Sequence, residues 1–348
     1  MARGKSIEAL TGIFTLGVIA GTFVSAWAVW AFPILLVPLV LLASRRASTP
    51  LLLLTFLTLG IFVSSTVVPF PERESVLERL ALESACKLKA LIQGIPFRAD
   101  ITPPLLTALL TGDRSGLPAD VVQVFRGSGA SHILALSGLH MGILYVIFDT
   151  ITRPLGKSPS ARKVRAALIV SAAGWFTLAT GASPSIVRAF LFICIGEFCT
   201  ITLRPRKLSR VLCLALLIQL TANPAVIGSL GFQLSYLAMG GIALIYPLLE
   251  KWYPEGRGFN PLRKIWQMAA LSISCQIFTA PLLWQRFGTV PRHFLLTNLM
   301  AIPIVTALMG AGVTTVVLSA LGWCPDLLIT ITDGLSRLLV WVLGIICL

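Results

Sequence analysis

The sequence predicts an all-α, polytopic integral membrane protein with about 11 transmembrane helices and an amphipathic helix on the outer side. Three observations support this fold class. Of the 348 residues, 56% are hydrophobic and only 12% are charged, whereas an average soluble domain has about 25% charged residues. The mean hydropathy is +0.88. Apolar runs of the length that suggests a membrane-spanning helix recur along the chain. Together these features exclude an ordinary cytosolic enzyme.

Apolar runs bounded by charges or by Pro and Gly clusters define the predicted spans. They cover residues 9–26, 28–44, 50–68, 130–151, 166–181, 185–203, 209–222, 231–249, 265–283, 294–318 and 326–347. The runs divide the chain into three predicted regions. These are N-terminal transmembrane helices over 1–68, an outer-side amphipathic segment over 69–129 and a transmembrane core over 130–348.

The segment over 69–129 is more polar than the rest of the chain and carries charges of both signs. Within it, apolar and small residues recur at helical spacing at positions 77, 80, 81, 84, 88 and 91. This spacing predicts an amphipathic helix over 72–93 that lies on the membrane or packs against the spans. A second, shorter amphipathic stretch is predicted from Pro118 to Arg126.

The net charge is strongly positive, at +14 from 28 Lys and Arg against 14 Asp and Glu. In a soluble protein such an excess would favour nucleic-acid binding. In a membrane protein, however, Lys and Arg concentrate in cytoplasmic loops, and most of the basic residues here fall on one side of the predicted spans. The charge therefore predicts orientation, with the amino terminus in the cytoplasm and the carboxyl terminus outside.

The sequence offers no pattern for a metal, a cofactor or an ATPase. The seven cysteines form no C-x-x-C pair and lie mostly inside apolar runs, as small buried hydrophobes do. Walker, H-E-x-x-H and dinucleotide-binding patterns are absent from the sequence. We therefore expect no cofactor, no metal and no enzymatic activity.

The densest group of polar residues in an apolar run is SHILALSGLHMGIL, residues 131–144, which contains His132, Ser137, Gly138 and His140. Polar groups at depth in a bilayer are functional candidates because burying them is costly. Ser137 and His140 are three residues apart, so that on a helix they lie near one face. Two interpretations stay open: an activated nucleophile, or a hydroxyl and an imidazole that only bond neighbouring helix groups. The small Gly138 also favours close approach of a neighbouring backbone.

Further polar candidates lie in three other apolar segments. Arg188 follows a Gly-Ala-Ser-Pro turn in residues 181–192 and needs an anion, water or a headgroup nearby. Gln233 and Ser235 lie at a span entrance in residues 231–244, where Gly240 and Gly241 mark a flexible or closely packed point. Asn298 lies in residues 275–305, in which Pro281 and Pro303 also occur.

Five ordered motifs resemble the ComEC family of competence proteins. The matching segments are LLTGDRSGL at 109–117, FRGSGASHILALSGLHMGIL at 125–144, SPSIVRAFLF at 183–192, GFQLSYLAMGGIAL at 231–244 and LLTNLMAIPI at 295–304. The resemblance covers roughly residues 100–310. It implies that region 130–348 is a competence-type channel core in a bacterial inner membrane.

The resemblance further implies that single-stranded DNA passes through the chain during natural transformation. A receptor, a nuclease and a cytoplasmic helicase would then be separate partners, with membrane lipid around the spans. Long family members carry an OB-fold and a metallo-β-lactamase-like domain, and we expect this chain to lack both. The residues matched to family motifs are expected to line or shape the DNA path, together with neighbouring polar positions: His132, Ser137, Gly138, His140, Arg188, Gln233, Ser235 and Asn298.

Two alternatives remain beside the DNA channel. The first is an intramembrane hydrolase that uses Ser137 and His140. The second is a transporter of another anionic polymer or of a small solute that has the same fold.

Overall fold

Every regular element is helical in the residues that the computed structural model describes, 2–22, 49–66, 76–156, 158–253, 260–323 and 325–347. The predicted span 28–44 lies outside these residues. The helices, numbered along the chain, are α1 Ala2–Gly21, α2 Thr49–Thr66, α3 Val76–Gly94, α4 Thr102–Thr111, α5 Ala119–Gly127, α6 Ser131–Leu134, α7 Gly138–Thr152, α8 Pro159–Ala179, α9 Pro184–Ile201, α10 Leu208–Ala222, α11 Leu230–Leu244, α12 Tyr246–Glu250, α13 Pro261–Phe287, α14 Phe294–Ala320 and α15 Asp326–Cys347. Short 3₁₀ turns follow α7 and α10.

The structure supports a helical membrane protein, although not the count of eleven spans. Five helices are long and apolar enough to cross a bilayer: α9, the α11–α12 stretch, α13, α14 and α15. Apolar helices of 10–17 residues also occur at Ile7–Gly21, Leu53–Ser64 and Leu208–Ala222. A helix that crosses the hydrocarbon core needs about 20 residues, so the shorter helices do not support a span by length alone.

The chain divides into two compact units. Unit 1 comprises Met1–Arg73 and Leu191–Tyr236, and unit 2 comprises Glu74–Phe190 and Leu237–Leu348. In unit 1, α1 packs against α2 and α10. The buried core of this unit is formed by Phe14, Val18, Val63, Leu220 and Phe232.

Unit 2 is built around α14 and α15, which pack on each other. Two short helices, α4 and α5, supply much of its core: Leu105, Leu106 and Leu109 of α4 and Phe125 of α5 are completely buried. They share one apolar cluster with Leu308 of α14 and with Leu339 and Leu343 of α15. Helix α3 covers α8 in the same unit.

The amphipathic stretches that the sequence predicts at 72–93 and 118–126 are helices in the structure, α3 and α5. Their location on the outer side of the membrane stays a prediction. The chain between these two helices contacts α15, because the Asp333 carboxylate accepts a hydrogen bond of 2.7 Å from the backbone N–H of Arg98. At the other end of α15, Cys347 lies against Gly127. A large part of region 69–129 therefore belongs to the core of unit 2.

Small residues allow the backbones of α1 and α2 to approach closely. A Cβ atom on Gly17 would collide with the carbonyl oxygen of Leu57, and one on Gly60 would collide with that of Phe14. Glycine at both positions lets the two helices pack at backbone contact, which is the usual means of association between membrane helices.

We expect the substitution Gly17→Ala to destabilise unit 1, because the added methyl group forces α1 and α2 apart at a cost of about 1–3 kcal/mol. Thermal unfolding of the detergent-solubilised protein measures this loss. The matched control is Gly12→Ala on the same helix, where no described atom lies within 4 Å of the added Cβ. Equal melting temperatures for the two variants would contradict the close packing.

Candidate functional site

The predicted span 130–151 is not one continuous helix. Helix α6 ends at Leu134 and α7 begins at Gly138. Between them Ala135 and Ser137 have extended backbone conformations, with φ −79° and ψ 127° at Ala135 and φ −136° and ψ 174° at Ser137. The prediction of one helix over this range does not hold, because apolar composition alone does not indicate a helix break whose backbone groups are bonded elsewhere.

The Ser137 and His140 side chains meet at the first turn of α7. The Ser137 Oγ accepts a hydrogen bond from the Leu139 N–H at 3.3 Å. The His140 Nδ1 accepts one from the Ser137 N–H at 3.3 Å and lies 3.2 Å from the Ser137 Oγ. This reciprocal arrangement is a capping box, in which two side chains bond the free N–H groups at a helix start.

His140 is completely buried. Its second ring nitrogen, Nε2, has no hydrogen-bond partner among the described residues. A catalytic serine–histidine pair needs a third group that orients the histidine, and none of the described side chains bonds to Nε2. The helix cap accounts for the contact between Ser137 and His140.

Arg188 lies against this helix start. Arg188 is only 7% exposed. A Cβ atom added to Gly138 would lie 3.6 Å from the Arg188 Nη2. The groups that pack against Gly138 are therefore the Arg188 guanidinium and the Ala189 Cβ. The sequence predicted a neighbouring backbone at this position. The start of a helix carries a partial positive charge. The Arg188 cation and the α7 N-terminus thus form one electropositive cluster within unit 2.

Sequence reasoning missed the residues that support this cluster. The turn after α4 contacts the helix break, because the Arg114 Nε donates a 3.0 Å hydrogen bond to the Leu134 carbonyl. Gly112 ends α4 with a φ of 80°, and a Cβ there would lie 2.5 Å from the Leu136 side chain. The segments LLTGDRSGL and SHILALSGLHMGIL, which are separate motifs in the sequence, are therefore in contact. The sequence feature that could have indicated this contact is that both segments belong to the same set of family motifs. Such a set does not show, however, which motifs are in contact.

The other predicted site residues of unit 2 have separate surroundings. His132 is exposed, and its Nδ1 lies 3.2 Å from the Gly129 carbonyl oxygen. Asn298 on α14 donates to the Ser272 Oγ on α13 at 3.3 Å. One residue before it, the buried Thr297 donates to the Ser128 carbonyl at 2.6 Å and so fastens α14 to the turn after α5.

Gln233 and Ser235 belong to unit 1, whereas the site residues named above belong to unit 2. Both are half-buried on α11. The Gln233 Nε2 donates a 2.8 Å hydrogen bond to the Ile227 carbonyl, which secures the 3₁₀ turn before α11. Their predicted role in a DNA path stays a prediction.

Of Gly240 and Gly241 on α11, Gly241 is the closely packed position, because a Cβ atom there would collide with the Ser274 carbonyl oxygen on α13. In the part of the chain that the structure describes, no group of three or more His, Cys, Asp or Glu side chains could hold a metal ion.

The comparison with known protein families bears directly on these motifs. The Competence protein family profile matches residues 109–347, which is more than half of the chain and includes the Arg114 turn, the helix break and Arg188. The chain belongs to the Competence protein family. Its relatives support assignment to the ComEC-type competence proteins that the five motifs resemble.

Three curated relatives illustrate the competence-family match. ComE operon protein 3 of Bacillus subtilis is 25% identical over 228 residues, covering 64% of this chain and 28% of the relative. Recombination protein 2 of Haemophilus influenzae is 27% identical over 59% of this chain and 27% of the relative. Competence protein ComA of Neisseria gonorrhoeae is 27% identical over 57% of this chain and 28% of the relative. The chain thus spans under a third of the length of each relative. No solved structure matches it significantly.

An ion pair secures the Arg114 turn of this competence-family chain to α3. The Lys89 Nζ lies 2.6 Å from the Asp113 Oδ2, and the Ser115 N–H donates to the Asp113 Oδ1 at 2.9 Å. Lys89 and then Ser115 hold the pKa of the Asp113 carboxyl well below its usual value of 3.8. A carboxyl with a lowered pKa stabilises the folded state above its unfolded pKa and loses that contribution as the pH falls.

We expect Asp113→Asn to lower stability at pH 7 by about 0.5 kcal/mol, a small amount because both partners are more than one-third exposed. The difference from the unsubstituted protein should shrink as the pH falls below 3.8. Thermal unfolding between pH 7 and pH 3 measures both effects. Lys89→Met is the matched control and should give the same loss at pH 7. A difference that grows towards low pH would contradict the assigned role of the ion pair.

Proposed function

We propose that this chain is a channel core that passes single-stranded DNA across the cytoplasmic membrane of a bacterium during natural transformation. In this proposal the chain is not an enzyme, its amino terminus lies in the cytoplasm, and about eleven spans surround the path. The family match and the names of the competence and recombination relatives support a role in DNA uptake. A separate receptor, nuclease and helicase act on the DNA before and after the membrane step.

The observation that carries the proposal is the buried electropositive cluster formed by Arg188 and the start of α7 at Gly138. DNA carries one negative charge per nucleotide, so a path through a bilayer needs positive charge and hydrogen-bond donors that favour phosphate. A guanidinium matches the geometry of phosphate oxygens, and the partial positive charge at a helix start favours anions. One cluster therefore combines two groups that both favour a passing phosphate.

The remaining predicted site residues contribute in a weaker way under this proposal. His132, Gln233, Ser235 and Asn298 bring uncharged polar groups to the path. Such groups bond a moving strand briefly and do not hold it, which suits transport better than tight binding. Ser137 and His140 shape the path by fixing the start of α7, next to which Arg188 lies.

We expect Arg188→Gln to reduce the uptake of labelled DNA into the cytoplasm about tenfold or more, because a charge-assisted hydrogen bond to phosphate is lost. Arg188→Lys should retain part of the uptake, since it keeps the charge but loses the planar geometry. DNA recovered in a DNase-resistant form, and the frequency of transformants, are the measurements.

The matched control is Arg126→Gln, which removes an exposed arginine of α5 in the same unit. All variants should reach the membrane in equal amount, as an immunoblot of membrane fractions reports. Normal uptake in the Arg188→Gln variant would exclude the cluster from the path. Normal transformation after deletion of the whole gene would instead favour transport of another anionic polymer or solute.

An intramembrane hydrolase is the second candidate, and the 3.2 Å contact between the Ser137 Oγ and the His140 Nδ1 favours it. The helix cap gives the same contact without catalysis. The two are distinguishable because asparagine caps a helix as well as serine does but is not a nucleophile.

We expect Ser137→Ala to lower DNA uptake, because losing the cap destabilises the start of α7 by about 1 kcal/mol. Ser137→Asn should restore uptake to near the level of the unsubstituted protein. A fluorophosphonate probe, which labels activated serines, should not label Ser137. Equal loss in both variants, together with probe labelling at Ser137, would support the hydrolase.

A further inference from the structure

Unit 2 contains an apolar cavity of about 380 Å³ that none of the predicted site residues lines. Four helices surround it. Its lining includes Ser84 of α3, Thr111 of α4, Phe148 of α7, Ala172, Trp175 and Phe176 of α8, and Thr180 directly after α8. The amphipathic helix α3 thus forms one side of the cavity, and α4, α7 and α8 form the other sides.

The hydroxyl groups in the wall do not make the cavity polar. Ser84, Thr111 and Thr180 each donate a hydrogen bond of 2.8 Å to a carbonyl of their own helix, one turn earlier. Their donors are therefore already used. A water molecule needs two to four polar partners, so a cavity with such a lining disfavours water and favours hydrocarbon.

The cavity is continuous with an exposed, mostly apolar stripe on α8. Val164, Leu168, Ser171 and Trp175 recur at helical spacing and are all exposed, and Trp175 is also part of the cavity wall. In a helical membrane protein, such a stripe is covered by lipid chains. A chain that lies along it reaches the cavity at Trp175, with Ser171 as the one polar residue of the stripe.

From this continuity we propose that the cavity binds one hydrocarbon chain of a membrane phospholipid, inserted between α3 and α8 beside Trp175. The lining of the cavity is apolar, and each buried methylene of the chain contributes favourably to binding. The exposed leucines of α3, at positions 77, 80 and 91, extend the buried face of that helix and suit contact with the same lipid layer. The bound lipid would thereby hold α3 on α8.

The test uses the full chain reconstituted in phospholipid vesicles that contain a small fraction of phospholipid with a diazirine at the end of one acyl chain. After illumination, mass spectrometry of the digested protein maps the covalent adducts. We expect adducts on the cavity residues of α7 and α8, such as Phe148 and Phe176, in addition to those on the exposed Leu168.

The variant Ala172→Phe fills the cavity and should reduce these adducts about tenfold, the effect of about two lost methylene contacts. The matched control is Ala167→Phe, which adds the same group at an exposed position of the same helix and should leave the cavity adducts unchanged. A second variant, Phe176→Ala, enlarges the cavity and should increase them.

Adducts at Leu168 without adducts in the cavity would overturn the proposal, as would cavity adducts that persist unchanged in Ala172→Phe. If Ala172→Phe does not fold, the adduct map of the unsubstituted protein and the Phe176→Ala variant still decide the question. DNA uptake is not part of this test, so its outcome is independent of the proposed function.

Discussion

The structure of the site depends on how a helix break is satisfied inside apolar surroundings. Where a helix stops, its last carbonyls and the first N–H groups of the next helix lose their partners, and leaving them buried without hydrogen bonds is costly. Here the Leu134 carbonyl accepts from Arg114, and the free N–H groups at Ser137 and Leu139 are bonded by the His140 and Ser137 side chains. These hydrogen bonds within the protein therefore stabilise the break.

The stable break has consequences for the charge distribution. It allows the start of α7 to lie inside unit 2, where Gly138 leaves room for the buried Arg188 guanidinium. A helix that ran continuously from 131 to 152 would have no N-terminus at this position and no partial positive charge there. The interaction of Arg114 with Leu134, on the opposite side of the break from the helix cap, thus helps to set where the electropositive cluster forms.

Short helices illustrate what apolar composition cannot determine. The chain from 69 to 129 is the most polar part of the sequence, which correctly predicts amphipathic helices at α3 and α5. Composition does not show, however, that α4 and α5 pack into the core of unit 2 beside α15. That outcome depends on contacts between residues far apart in the chain, such as Asp333 with the Arg98 backbone, and these have no periodic signal.

The sequence by itself determined the class of the protein, because hydropathy and charge follow directly from composition. It also identified the polar residues in apolar runs and the family motifs, and the family assignment is confirmed. Only the tertiary structure decided that Ser137 and His140 form a cap, that the motif with Arg114 supports the motif with Gly138, and that Gln233 and Ser235 belong to the other unit. The physical reason is that hydrogen bonds depend on distance and direction in space, whereas the sequence gives spacing only along one chain.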